Sequence, residues 1–545
     1  MADAAAPATL GPIALALSGG GYRAAAFHLG TLRSLHEADL LESVDVLSTV
    51  SGGTIVGASY ALSQVRDESF DRFYDDFLTR LRTQRPVHRA AQLLTRQHDS
   101  LPRRTLIAAQ AEALNEQYYA DARFGEFFET PIHIGEIIFN ATDFRCGLPF
   151  RFQKSRNPRA RIGNGKHWMP TEIACQMRLA DIVAASSCFP GGFEPIGFPH
   201  DFAWDDRKTV LSALCNDSAD QTFAEPLPLM DGGVADNQGL GSLRVALGRR
   251  EKEDQPAIGL VFISDADSPN DTPLIRHNRA PRASWLSVNN VLLGGRVLLV
   301  IAIVAACLLG WRIGQMVVTR SLPEWWIFVE SIFSFIVLSL TIFGLWRGLR
   351  WLDRSILRQL PEQSGLDIVG TVGTLSPSWL GDLIRMRIES LYAMSSNVFM
   401  KNVRDLRYRD LYENNELRDR VIANLIYELP KRGNSTTEEA AGNVQPSPAM
   451  IAIAKCAVAM PTTLWFQESQ RLDAIVLCGR FTACYNLIEH THKRLESEVG
   501  EHKQNEMSFA GDLEDLRLRL LEMWTELEME VARFPLDSIG VTSTE

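Results

Sequence analysis

Ser51 is followed at once by Gly52 and Gly53, between an apolar run, Val44 to Val50, and a helix-patterned stretch from Thr54 to about Gln64. A strand–turn–helix elbow of this kind exposes a serine hydroxyl and leaves room for close backbone packing. The N-terminus of the helix behind it favours developing negative charge. Taken alone, the same serine reads more readily as a helix N-cap.

Two further turns change its weight. Ser18-Gly19-Gly20-Gly21-Tyr22-Arg23 follows the first apolar run, Ile13 to Leu17, and precedes a helical pattern. Consecutive glycines let backbone N–H groups converge on an anion, either a nucleotide phosphate or the oxyanion of acyl transfer. No G-x-x-x-x-G-K-[ST] run is present, and the second strand ends in Ser51 rather than in an acid, so the nucleotide reading is weak. Asp231-Gly232-Gly233 closes another apolar stretch, Pro226 to Met230. Alone it is a common turn; beside Ser51 it supplies a base. No histidine competes for that role. His28 and His36 fall inside the first helix, and His133, His167 and His200 have no acid at a telling offset. The expected chemistry is a serine–aspartate dyad, with no metal or cofactor required.

The elements that must position these groups alternate between strand and helix. Strands are expected at Ile13–Leu17, Val44–Val50, Ile137–Thr142 and Ala257–Ser264, with helices from Arg23 to about Leu40 and after Ser51. That alternation predicts an α/β fold with a mainly parallel sheet. Residues 66 to 130 read as helical and charged, a cap over the site, and residues 378 to 430 as helical. The stretch Gly433 to Pro448 has linker composition. Near the C-terminus, Leu513, Leu516, Leu520, Trp524, Leu527, Val531 and Phe534 mark one amphipathic helix, expected to pack on the body.

Composition bounds the partners. A net charge of -11 over 545 residues argues against nucleic acid. Eight cysteines without a C-x-x-C pair or zinc spacing read as reduced, mostly buried thiols in a reducing compartment. The first residues lack a basic segment and a signal-peptide core. The middle of the chain differs. Val297 to Trp311 and Ser331 to Trp346 carry no charge, and each extends to about 20 residues, enough to span a bilayer. Tryptophans edge both runs. Arg276, Arg279 and Arg282 precede them, Arg347, Arg350, Arg354 and Arg358 follow, and the link with Pro323 carries Arg312 and Arg320. The expectation is a transmembrane helical hairpin with both flanks, and the catalytic body, on the cytoplasmic side.

Together the three turns resemble the patatin-like phospholipase family: a glycine loop at Gly19-Gly20-Gly21-Tyr22-Arg23, an elbow at Thr49-Val50-Ser51-Gly52-Gly53 and an aspartate turn at Asp231-Gly232-Gly233. The segment Ala185-Ser186-Ser187-Cys188-Phe189-Pro190, followed by Phe193-Glu194-Pro195, is similar to another family signature. One departure is Thr49, where the family pattern has glycine. The resemblance implies a three-layer patatin-like sandwich with the hairpin inserted into it. The implied boundaries are a disordered tail at 1–10, a catalytic core at 11–275, the hairpin at 290–348, a continuation of the fold at 365–500 and a helical tail at 501–545. It implies a membrane-associated phospholipase A type hydrolase, with Ser51 as nucleophile, Asp231 as base and Gly19, Gly20 and Gly21 around the oxyanion. Arg23 would steady the loop or face lipid phosphate, while Gly52, Gly53, Gly232 and Gly233 support the turns. The implied partners are phospholipid or another acyl lipid, the bilayer and a second copy of the chain. Alternatives are an inactive, regulatory membrane-anchored relative and an esterase of neutral lipids.

Overall fold

The structure is a computed structural model. It describes residues 10–95, 104–215, 223–253, 255–267, 288–318, 325–352, 385–391, 393–432, 444–462, 466, 468–500 and 507–539. The chain divides into two compact units, one of Met1–Asp271 with Val398–Glu545 and the other of Thr272–Asn397.

The first unit is built on a ten-stranded sheet. The strands are β1 (Ile13–Leu17), β2 (Val44–Val50), β3 (Glu136–Asp143), β4 (Leu148–Lys154), β5 (Ile162–Gly163), β6 (Trp168–Met169), β7 (Ile196–Phe198), β8 (Leu227–Asp231), β9 (Leu260–Asp265) and β10 (Val421–Leu425). From β10 through β9, β1 and β2 to β3, every pairing is parallel. Beyond β3 the pairings are antiparallel.

Parallel strands covered on both faces must be apolar on both, which is why β1 reads as an unbroken IALAL. Ile13, Leu15 and Leu17 enter the larger core with helix α1 (Gly21–Glu37) and helix α2 (Gly52–Val65). Ala14 and Ala16 face the opposite way, toward Leu240, Leu243 and Ala246 of the helix Leu240–Glu251. The alternation makes three layers, helix on sheet on helix. Helix α1 is clamped by the long helix Ser469–Gly500: a Cβ at Gly30 would lie 2.0 Å from the Val476 carbonyl oxygen. The C-terminal helix Met507–Ala532 buries Leu513, Leu516, Leu520, Trp524, Leu527 and Val531 in the same core, so it packs on the body.

Three expectations change. Residues 421–425 form a strand, not a helix, because the short run VIANL pairs with β9 and extends the parallel sheet. Of the eight free cysteines only Cys188, Cys478 and Cys484 are fully buried, and Cys307 is exposed. The third concerns the second unit, where the helices Val288–Val318 and Trp325–Leu352 pack together, a Cβ at Gly310 meeting the Phe335 ring at 3.5 Å. Among the described residues, one helix is long and apolar enough to cross a membrane: Leu293–Val318, with a mean hydropathy of 2.4 and none of its most apolar window buried. The apolar part of the other helix, Val329–Gly344, is shorter. It covers about 24 Å at 1.5 Å per residue, against a hydrocarbon core of about 30 Å. One membrane-span candidate therefore stands where two were expected. The tail at 1–9, the flanking Arg276, Arg279, Arg282, Arg354 and Arg358, the link Arg320 and Pro323, and residues 365–384 and 433–443 lie outside the described residues.

Candidate active site

Strand β3 brings the two key turns together. Strand β2 runs parallel to it and ends at the pair Val50–Asn140. Strand β8 runs antiparallel to it and ends at the pair Asp231–Ala141. The C-terminal ends of β2 and β8 thus meet at adjacent positions of one strand. Ser51 is the next residue after β2, and Asp231 is the last of β8.

Ser51 has φ 51 and ψ −117, a conformation that costs a non-glycine residue about 1–3 kcal/mol. Its surroundings hold it there. The Ser51 N–H donates to Ser186 Oγ at 3.0 Å, and its carbonyl accepts from the N–H groups of Thr54 at 2.8 Å and Ile55 at 3.1 Å. A Cβ at Gly52 would fall 2.0 Å from the Gly21 carbonyl oxygen, and one at Gly53 would fall 2.3 Å from that of Leu17. Ser51 stands at the N-cap of α2, yet its side chain makes no capping hydrogen bond. The hydroxyl is left for other work, which separates this serine from an ordinary cap.

The departure at Thr49 is accommodated. Thr49 Oγ1 and Thr54 Oγ1 are 2.9 Å apart, and Thr54 Oγ1 lies 2.8 Å from Ser186 Oγ. Ser186 Oγ also donates to the Asn140 carbonyl at 2.6 Å. The extra methyl of Thr49 occupies space left by Gly57, where a Cβ would stand 2.6 Å from Thr49 Cγ2. The cost of β-branching at the elbow is met by a missing side chain one helical turn away.

In the glycine loop, the Gly19 N–H is already bonded to the Asn237 carbonyl at 2.9 Å. Of the three glycines expected around the oxyanion, Gly19 therefore has no free N–H to donate. Its part is spatial: a Cβ there would collide with Asn237 Oδ1 at 2.3 Å and approach Ser51 Cβ at 3.2 Å. Gly20 (φ 144) and Gly21 (φ 63) adopt conformations that side chains resist. Their N–H groups carry no hydrogen bond among the described residues. Arg23 is buried and donates through Nη1 to the Met460 carbonyl at 2.5 Å. Burial lowers its pKa, with Asp267 and Asp265 acting the other way.

Asp231 is 3% exposed. Oδ1 accepts the Gly233 N–H at 2.7 Å, while the buried Oδ2 has no partner of normal hydrogen-bond geometry. Burial pushes its pKa up to about 6; the nearby Ser51 hydroxyl and the Gly233 N–H pull against that rise. The Asp231 carbonyl accepts from Thr142 Oγ1 at 2.8 Å, and the Gly232 N–H donates to the Ser186 carbonyl at 3.1 Å. Gly232 sits so close to β3 that a Cβ would lie 2.4 Å from the Asn140 carbonyl oxygen. At Gly233 a Cβ would lie 3.0 Å from Asp231 Oδ1.

Ser186 therefore touches both turns, with its hydroxyl on Ser51 and its carbonyl on Gly232. Sequence reasoning singled out its segment but assigned it no role. Asn140 and Asn237 were missed entirely, since neither stands in a turn motif. His28 is a core residue. Burial lowers its pKa to about 4, and its ring bridges Ser264 Oγ at 2.8 Å and the Ser18 carbonyl at 2.9 Å. His167, expected to lack an acid, pairs with Asp143 at 2.9 Å. The two residues are distant in sequence and meet because Asp143 ends β3.

The family model described as Patatin-like phospholipase matches residues 15–244. That span holds the glycine loop, Ser51, Ser186, Asp231 and Asn237. No curated protein matches the chain.

Proposed function

We propose, starting from the patatin-like phospholipase domain that residues 15–244 form, that the protein is a lipid acyl hydrolase working through Ser51 and Asp231. The observation that carries this reading is the state of the pair. The Ser51 hydroxyl makes no capping bond, and it lies near a buried carboxylate with an open oxygen and a pKa of about 6. A base with that pKa is ionised at neutral pH yet still takes up a proton readily.

In the proposed reaction, Asp231 Oδ2 receives the Ser51 proton as Oγ bonds to the ester carbonyl carbon. The carbonyl oxygen becomes an oxyanion, met by the N–H groups of Gly20 and Gly21 and by the N-terminus of α2. The C–O bond to the leaving alcohol then breaks, and the alcohol takes the proton from Asp231. Water attacks the acyl-enzyme, gives its proton to Asp231, and Ser51 recovers it as the fatty acid leaves. The same reading assigns Leu293–Val318 to membrane anchorage, because its apolar surface is exposed and needs an apolar environment. An anchored enzyme meets a phospholipid substrate at high local concentration.

The test is fatty-acid release from phosphatidylcholine vesicles by the wild type, Ser51→Ala and Asp231→Asn, with fluorophosphonate labelling in parallel. Both variants are expected to lose about 10³-fold or more, and labelling to disappear in Ser51→Ala. Unchanged release by Ser51→Ala, or a wild type that neither labels nor hydrolyses, overturns the proposal.

A further inference from the structure

Asn237 lies at the junction of the glycine loop, the nucleophile and the aspartate turn. It caps the short helix Gly233–Asp236, and its carbonyl holds the Gly19 N–H. Its side chain wedges between two glycines. A Cβ at Gly19 would stand 2.3 Å from Asn237 Oδ1 and 3.2 Å from Ser51 Cβ. A Cβ at Gly233 would stand 2.6 Å from the same Oδ1 and 3.0 Å from Asp231 Oδ1. Both glycines make room for this one amide.

Asn237 is 8% exposed, yet its side chain has no hydrogen-bond partner among the described residues. The nearby buried amides have their –NH2 groups engaged, although their own oxygens, Asn140 Oδ1 and Gln238 Oε1, have no partner. Asn140 Nδ2 donates to Ser48 Oγ and to the Thr49 carbonyl, both at 3.0 Å, and Gln238 Nε2 donates to Asp265 Oδ2 at 3.3 Å. An amide without a protein partner is free to donate to a bound ligand. With Oδ1 packed against the glycines, the –NH2 is the part left to donate.

We propose that the Asn237 side chain is a catalytic residue, donating from Nδ2 to the substrate's acyl oxygen as it becomes the oxyanion. It takes the place beside Gly20 and Gly21 from which the Gly19 N–H is withdrawn. The donor is neutral, so it stabilises the oxyanion without perturbing the Asp231 charge. This inference rests on the acyl-hydrolase reading.

The experiment compares the full chain with Asn237→Leu, which fills the volume without a donor, and Asn237→Ala. A short p-nitrophenyl ester serves as substrate and an alkyl trifluoromethyl ketone as an oxyanion-forming inhibitor. Rates are expressed per active site titrated with fluorophosphonate, so misfolded protein does not count. Both variants are expected to lose about 10²-fold in kcat, with KM within about threefold, as for other lost oxyanion donors. Inhibitor affinity should fall by the same factor. Variants that keep wild-type kcat per active site, or that lose kcat while binding the ketone unchanged, overturn the role of Asn237 alone. A wild type that neither labels nor turns over the ester takes down the hydrolase reading as well.

Discussion

Two buried aspartates sit two register positions apart along β3 and behave in opposite ways. Asp231 pairs with Ala141, and Asp143 pairs with Leu229. Burial acts to raise the pKa of each. At Asp143 it is outweighed by hydrogen bonds from Cys146, Asn164 and His167, and the carboxyl is held below its ordinary value. Asn164 Nδ2 donates to Oδ2 at 3.0 Å, the His167 ring lies 2.9 Å from the same oxygen, and the Arg145 N–H reaches Oδ1 at 3.1 Å. At Asp231 the Gly233 N–H and the Ser51 hydroxyl are the opposing groups, Oδ2 stays open, and the pKa rises to about 6. Both carboxyls are shielded from solvent, but Asp231 lies deeper in the protein and has fewer donors, and both differences raise its affinity for a proton relative to Asp143. A saturated carboxylate is structural, and an undersaturated one can accept a proton.

The contrast breaks most sharply in activity. Asp231→Asn should cost about 10³-fold or more in ester hydrolysis, whereas Asp143→Asn should stay within about threefold of the wild type. Equal losses would mean that the two carboxylates are not divided as described. In stability the order reverses. Asp231 binds its proton more tightly when folded than unfolded, so its ionisation destabilises the fold as pH rises from about 4 through about 6. Asp231→Asn should therefore be more stable than the wild type at pH 8, by up to about 3 kcal/mol, with the gap closing below pH 4 in denaturant titrations. Asp143 has the opposite sign. Its contribution is present above the unfolded carboxylate value and is lost as pH falls through its lower folded value. Asp143→Asn should cost about 2 kcal/mol at neutral pH and converge on the wild type in acid.

The pH–rate profile sharpens the same comparison, since kcat/KM should rise through an acid limb near pH 6, where Asp231 becomes a base. A limb near pH 4 would place the base elsewhere. The smallest effect concerns the atypical elbow. Gly57→Ala pushes a Cβ against the Thr49 methyl and should cost about 1–3 kcal/mol. In a Thr49→Gly background that penalty should shrink, giving a coupling of about 1 kcal/mol in a double-mutant cycle. Additive effects would show that Gly57 does not offset Thr49.

Much of the local framework was legible because local rules govern it. An apolar run followed by glycines marks β1 and its loop, and Ser51 before two glycines marks the elbow. The strand at Val421–Leu425 escaped because a five-residue apolar segment has no period of its own until β9 offers it a partner. The second membrane helix was expected by extending the uncharged run Ser331 to Trp346 to about 20 residues past Glu330, whereas the apolar stretch of the helix, Val329–Gly344, is shorter than a span.

The sequence by itself determined where the chain could turn sharply and which residue types stood at those turns, since glycine content and side-chain branching limit φ and ψ locally. Tertiary structure decided what the turns do. The register of β3 sets Ser51 against Asp231, the Asn237 carbonyl withdraws Gly19 from service, and Asn164 and His167 quiet Asp143 while Asp231 is left underserved. Hydrogen-bond donors and low dielectric come from residues far along the chain. A carboxylate's affinity for a proton therefore cannot be read from its neighbours in sequence.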